Sequence, residues 1–221
     1  MEVKKLPQKS LPPAIFLIGQ DMPRIPLPDL ERLTPEAQVV VDSIRKGGGR
    51  NGRLPAPYQL TLANPEFTNV WQQMGGLLRY RNSLPLRLSE LAILITARHW
   101  NCRYEWFAHA PIGLQEGLPA DAVEEIRWGR TPKFKQSDEY QIFKYTTQLH
   151  ERKKVTDLVH KETLNAFGLK GIVDLTALVG YYTMVAMALN AHEFIPPEDA
   201  EHSLPEIKPS EYRFTASENF Q

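Results

Sequence analysis

The chain has 221 residues, 42% of them apolar, which is enough for a substantial core in one large domain or two small ones. Lys plus Arg number 26 and Asp plus Glu 26, so the formal charge is zero, which argues against a general nucleic-acid binder and against an acidic solvating tail. Cys102 is the only cysteine, which excludes an intrachain disulfide, a thiol–disulfide pair and a cysteine-based zinc site.

Ten of the 18 prolines fall in residues 1–65, four in 66–195 and four in 196–221. Proline removes a backbone donor and breaks helices, so the ends read as extended arms around a helical middle. Lys4, Lys5 and the apolar Ala14–Gly19 resemble a secretory leader only faintly, because Pro12 and Pro13 interrupt it. Thr34-Pro35-Glu36 opens a short helix with proline at its first position. Gly47-Gly48-Gly49-Arg50-Asn51-Gly52 is a loop without the Gly-Lys-Ser/Thr ending of a phosphate-binding one. Asn64-Pro65 opens a second helix toward Tyr80. After Pro85, Leu88, Leu91, Ile95 and Arg98 line one face of a third.

A fourth helix runs from Tyr104 to Glu116 and stops at Gly117, and a fifth covers Asp121–Trp128 before Gly129 and Pro132. Ser137-Asp138-Glu139 starts a sixth that ends near Glu151. Thr156–Phe167 forms a seventh, closed by Gly168 as a left-handed cap, and Ile172–Asn190 a long apolar eighth. The closest approach to a membrane span, the 15 uncharged residues Leu175–Leu189, reads as a buried helix, short of the ~18–20 needed to span a bilayer. No segment alternates as a strand does, so the expected fold is all-α. The expected organisation is an N-terminal arm and short helix over 1–60, a helical domain over 61–195 and a tail over 196–221. A soluble, cytoplasmic protein is expected, with no membrane and no nucleic-acid partner.

Ser89–Leu94 and Val173–Leu178 align at an offset of 84 residues, which suggests a duplication whose second copy has lost most of its polar groups. The polar groups of the first copy carry the chemistry. Cys102, Glu105 and His109 stand at i, i+3 and i+7, on one helical face surrounded by aromatic residues. If the chain reverses near Trp100, Glu90 on the preceding helix comes level with His109. Glu90 is followed by Leu-Ala-Ile-Leu-Ile, and a carboxylate in so apolar a run needs a partner. Burial is expected to raise its pKa, and the carboxylate to hold the imidazole's charge and tautomer. A Glu–His pair four residues apart is also common on solvated helices, where it contributes only a few tenths of a kcal/mol, about 0.2–0.5.

Arg87-Leu-Ser-Glu90-Leu-Ala-Ile-Leu, Tyr104-Glu105-Trp106-Phe-Ala-His109 and Glu116-Gly117-Leu118, continued by Phe167-Gly168-Leu169 and Gly180-Tyr181-Tyr182, resemble the carboxymuconolactone decarboxylase family, which has the AhpD-like fold. The resemblance covers roughly residues 60–195. It implies an all-α AhpD-like bundle that assembles as a dimer, trimer or hexamer. In the peroxidase members of that family a C-x-x-C pair precedes the histidine. Here the first position is Cys102 and the second is Glu105, which cannot resolve a sulfenic acid.

The decarboxylase branch is therefore the closer resemblance. It implies a lyase or isomerase that uses no cofactor and no metal, acting on a small carboxylated or lactone substrate. His109 is then the general acid/base, Glu105 its proton-donating or accepting partner, and Glu90 the group that orients His109. Cys102, Trp106 and Tyr182 are expected to line the substrate pocket, and Arg87, Arg98 or Arg103 to anchor a substrate carboxylate. A one-cysteine hydroperoxidase using Cys102 and an external thiol is an alternative, as is a silent binding or assembly module.

Overall fold

The computed structural model describes residues 23–46, 54–196, 203–208, 211, 212 and 214. The Gly47–Gly52 loop and the leader-like segment lie outside these residues. The fold is an all-α bundle with no strand among the described residues. Its elements are α1 (Pro35–Lys46), α2 (Ala56–Thr61), α3 (Pro65–Tyr80), α4 (Leu86–His99), α5 (Arg103–Gln115), α6 (Ala120–Arg127), α7 (Ser137–Arg152) and α8 (Asp157–Ala191).

Local chemistry sets the boundaries. Asn64 caps α3 by accepting the Phe67 N–H, with Pro65 at the first helical position, where a missing donor costs nothing. Thr156 caps α8 in the same way through Val159 N–H. Gly117 and Gly129 close α5 and α6 at φ +97° and +67°. Gly168 interrupts α8 at φ +69°, ψ 176°, so the cap expected there is extended mirror-image backbone, not a left-handed helical residue. The short helix α2 went unread because Pro55 and Pro57 crowd its six residues.

α4 is the central helix. Every residue from Leu88 to Arg98 is buried, because α5, α7 and α8 pack around it. The main core runs through Leu91, Leu94 and Ile95 of α4, Phe143 of α7 and Leu175, Leu178 and Leu189 of α8. Val40, Val41 and Ile44 of α1 form a separate small cluster with Leu54 and Leu62. By length and composition α8 could cross a membrane, but half of its most apolar window is buried in the fold, as befits a core helix.

The suggested duplication does not survive in three dimensions. Residues 86–115 form a hairpin that turns at Asn101, at φ +49°, whereas the matching part of α8 is one continuous helix. Asp174, the counterpart of Glu90, instead accepts bonds from the Ser83 N–H and hydroxyl, both at 2.7 Å, and from Lys170.

Candidate active site

The hairpin brings Glu90 and His109 level. α5 can lie close to α4 because Gly113 faces Glu90, where an added Cβ would stand 3.6 Å from Glu90 Cβ and 2.8 Å from Leu118 Cδ1. His109 Nδ1 is 2.6 Å from Glu90 Oε2. An ionised carboxylate only accepts, so Nδ1 carries the proton in this bond and the second ring nitrogen faces the other way. There Nε2 lies 3.3 Å from Glu105 Oε2, one helical turn earlier on α5. That contact is within ion-pair range but off the line of a hydrogen bond, and Glu105 Oε2 has no hydrogen-bond partner. Two facing lone pairs repel, so a proton on either atom relieves the contact.

All three side chains are 5% exposed or less. The environment of Glu90 reverses one sequence expectation. Burial does push its carboxyl pKa up, but the His109 imidazole and the Arg79 guanidinium together outweigh burial and hold it below the usual range. Arg79, from the last turn of α3, donates through Nη2 to Glu90 Oε1 at 3.2 Å. Burial would lower the Arg79 pKa, but the paired Glu90 carboxylate works against it and the guanidinium stays charged. Both oxygens of Glu90 are thus occupied, one by each base.

α8 supplies the far wall. Tyr182 packs edge-on against the His109 ring with centroids 5.1 Å apart. Its hydroxyl is held protonated first by burial, with Glu105 and Glu90 adding to the effect against Arg79. Tyr181 enters beside it, against Gly75 of α3, and is hydrogen-bonded to Tyr58 of α2. A Cβ on Gly75 would stand 2.2 Å from the Tyr181 hydroxyl, so only glycine admits this tyrosine.

Of the residues singled out in the sequence, Glu90, Glu105, His109 and Tyr182 come together. Cys102 and Trp106 lie in the apolar core, 0% and 1% exposed. Cys102 begins α5 next to Glu105. Burial first, and the Glu105 carboxylate second, push its thiol well above the ordinary range, against a weaker pull from backbone N–H groups. Arg87 is held by Asp138 at 2.7 Å and by Glu139 on α7. Arg98 binds the carbonyls of Arg127 and Pro205, each at 2.9 Å, and Asn101. The site's arginine is Arg79, which the sequence reading missed. Its signal was there, since it is the only charged residue between Glu66 and Arg81.

The arrangement can hold and pass one proton between Nε2 and Glu105 while Glu90 and Arg79 fix the ring from behind. For a cation, Glu90 would have to give up Arg79, and among the described residues no group of three His, Cys, Asp or Glu side chains is placed to hold a metal ion.

A helical hairpin places Glu90, His109 and Glu105 side by side at the heart of an all-α bundle. Residues 65–144 match the model of the carboxymuconolactone decarboxylase family. The chain's fold is similar to the crystal structure of an uncharacterized peroxidase-related protein from Silicibacter sp. TM1040, with a TM-score of 0.64 at 15% identity, over 82% of this chain and 95% of that one. No curated protein matches the sequence.

Proposed function

We propose that the protein is an acid/base lyase of the carboxymuconolactone decarboxylase type, acting without a cofactor on a small carboxylated lactone or similar conjugated acid. The observation that carries this reading is His109 held between two buried carboxylates, with Nε2 and Glu105 Oε2 3.3 Å apart and not hydrogen-bonded. In the reaction, the substrate carboxylate leaves as carbon dioxide and its bonding electrons pass into the conjugated lactone. A proton carried by Nε2 or by Glu105 then goes to carbon, and solvent restores it. Glu90 and Arg79 stay as a fixed, mutually neutralising pair that holds the imidazole in one tautomer.

A second reading is a one-cysteine hydroperoxidase on Cys102, favoured by the likeness in fold to the peroxidase-related protein from Silicibacter. A thiol with 0% exposure and a raised pKa weighs against it, since peroxide attack needs an accessible thiolate. The two are separated by assaying one preparation for carbon dioxide release from carboxymuconolactone and for alkyl hydroperoxide consumption with an external thiol. Expected is lactone turnover that falls by about 10²–10⁴ in His109→Gln and sharply in Glu105→Gln, the range of a positioned acid/base, and that Cys102→Ala leaves nearly unchanged. Hydroperoxide consumption lost in Cys102→Ala and kept in Glu105→Gln would establish the second reading instead. Inactivity in both assays favours a binding or assembly role.

A further inference from the structure

We propose that the outer face of α3 is a self-docking surface on which two copies of this chain pair through antiparallel α3 helices. The inner face of α3 carries Trp71, Gly75 and Leu78 into the fold. The opposite face presents Phe67, Val70, Met74, Leu77 and Tyr80, between 40% and 69% exposed. Their spacing of three, four, three and three residues is that of one continuous helical stripe. Large apolar side chains scattered singly are ordinary, but five aligned along a 16-residue helix form an apolar patch left open among the described residues.

Charge selects the occupant. From Phe67 to Tyr80 the only charged residue is Arg79, and it is turned inward to Glu90. The stripe is therefore uncharged, with exposed Glu66 at one end and exposed Arg81 at the other. Neither forms an ion pair within the described residues. A parallel copy would set like charges side by side. An antiparallel copy with its two-fold axis between Gln73 and Met74 sets Glu66 against Arg81 of the second copy, Phe67 against its Tyr80 and Val70 against its Leu77. Each contact is then made twice, as a two-fold interface requires. The surface is independent of the reaction proposed above.

Sedimentation analysis of the full chain tests the surface. The wild type is expected at twice the chain mass or a multiple of it. Val70→Glu with Leu77→Glu, both at exposed positions and checked by circular dichroism, is expected to weaken the pairing by about 100-fold or more, because four carboxylates would be buried in the dimer. Glu66→Arg alone and Arg81→Glu alone should each weaken it several-fold, and the double reversal should restore it, because the two residues face each other. A monomeric wild type overturns the proposal, and so does an assembly that the Val70/Leu77 variant leaves intact. Failure of the double reversal to restore pairing overturns the antiparallel arrangement.

Discussion

Glu90 has two oxygens and two positive or proton-bearing neighbours, and each neighbour has a separate measurable effect. Arg79→Met removes the partner of Oε1, so the Glu90 carboxyl should titrate at higher pH than in the wild type. The acid limb of the activity profile then moves upward. Stability moves with it. The folded pKa of Glu90 lies below its unfolded value, so its contribution is present above about pH 4.3 and lost as pH falls through the folded value. Arg79→Met narrows that difference and should lower the melting temperature most near neutral pH. An acid limb unmoved in Arg79→Met would mean that Glu90 is not the group that sets it. At Cys102 the expectation is the absence of reactivity. A thiol reagent should label the native protein negligibly and label it fully in denaturant, because the sulfur is buried and its thiolate disfavoured. Fast labelling of the native chain would contradict that. Glu90 and His109 were legible from sequence because an antiparallel hairpin fixes their register by counting from its turn. Arg79 was not, because its place depends on how a third helix docks, and no local spacing encodes that.

At the scale of the helices, two glycines test two different physical reasons for having no side chain. Gly75→Ala would push a methyl into the Tyr181 hydroxyl, which is buried and bonded to Tyr58. Overpacking of this kind costs about 1–3 kcal/mol, and it should also disturb Tyr182 and hence activity. Gly168→Ala meets nothing within 4 Å, yet forces an L-residue into backbone at φ +69°, ψ 176°. That costs of order 1–3 kcal/mol through conformation alone, and should leave turnover intact. Denaturant melts paired with activity assays separate the two, and equal effects of both variants on activity would refute the distinction. The helices themselves were readable wherever an Asn, Thr, Pro or Gly marked an end, as at Asn64, Thr156 and Gly117. α2 is the exception, since Pro55 and Pro57 crowd its start and no side chain caps it. The apparent duplication misled for a related reason. Apolar residues recurring every three or four positions match between any two buried helices, whereas the turn at Asn101 that makes one of them a hairpin has no counterpart in α8.

For the molecule as a whole, the ends of α4 and α7 meet in a histidine pair that makes the fold sensitive to acid. His99 and His150 stack with ring centroids 4.5 Å apart, and His150 Nε2 lies 3.0 Å from the Thr96 hydroxyl. Burial, with a smaller push from Lys153, lowers His99 to about 4. Burial, with His99 and Lys153 adding, lowers His150 to about 3. An unfolded histidine titrates near 6.5, so the unfolded chain takes up protons first. The stability held by the neutral pair is complete above about pH 6.5 and is lost progressively as pH falls toward 4 and then 3. Melting temperatures measured from pH 7.5 to 4 should fall steadily, and His150→Gln should flatten that slope. A wild-type profile that is level over this range would contradict the assignment.

Arg98 adds an order of events. It is a buried cation, with burial lowering its pKa to about 10, and one of its two backbone acceptors is the carbonyl of Pro205, 107 residues further along the chain. Arg127, whose carbonyl is the other, also donates through Nε to the Ser203 carbonyl at 2.8 Å. Synthesis runs from the N-terminus, so α4 to α8 leave the ribosome before the segment that completes the surroundings of Arg98 exists. The central helix therefore cannot reach its final solvation state while the chain is being made. A nascent chain halted before residue 203 holds every described helix and still lacks the last acceptor for the fully buried Arg98 cation.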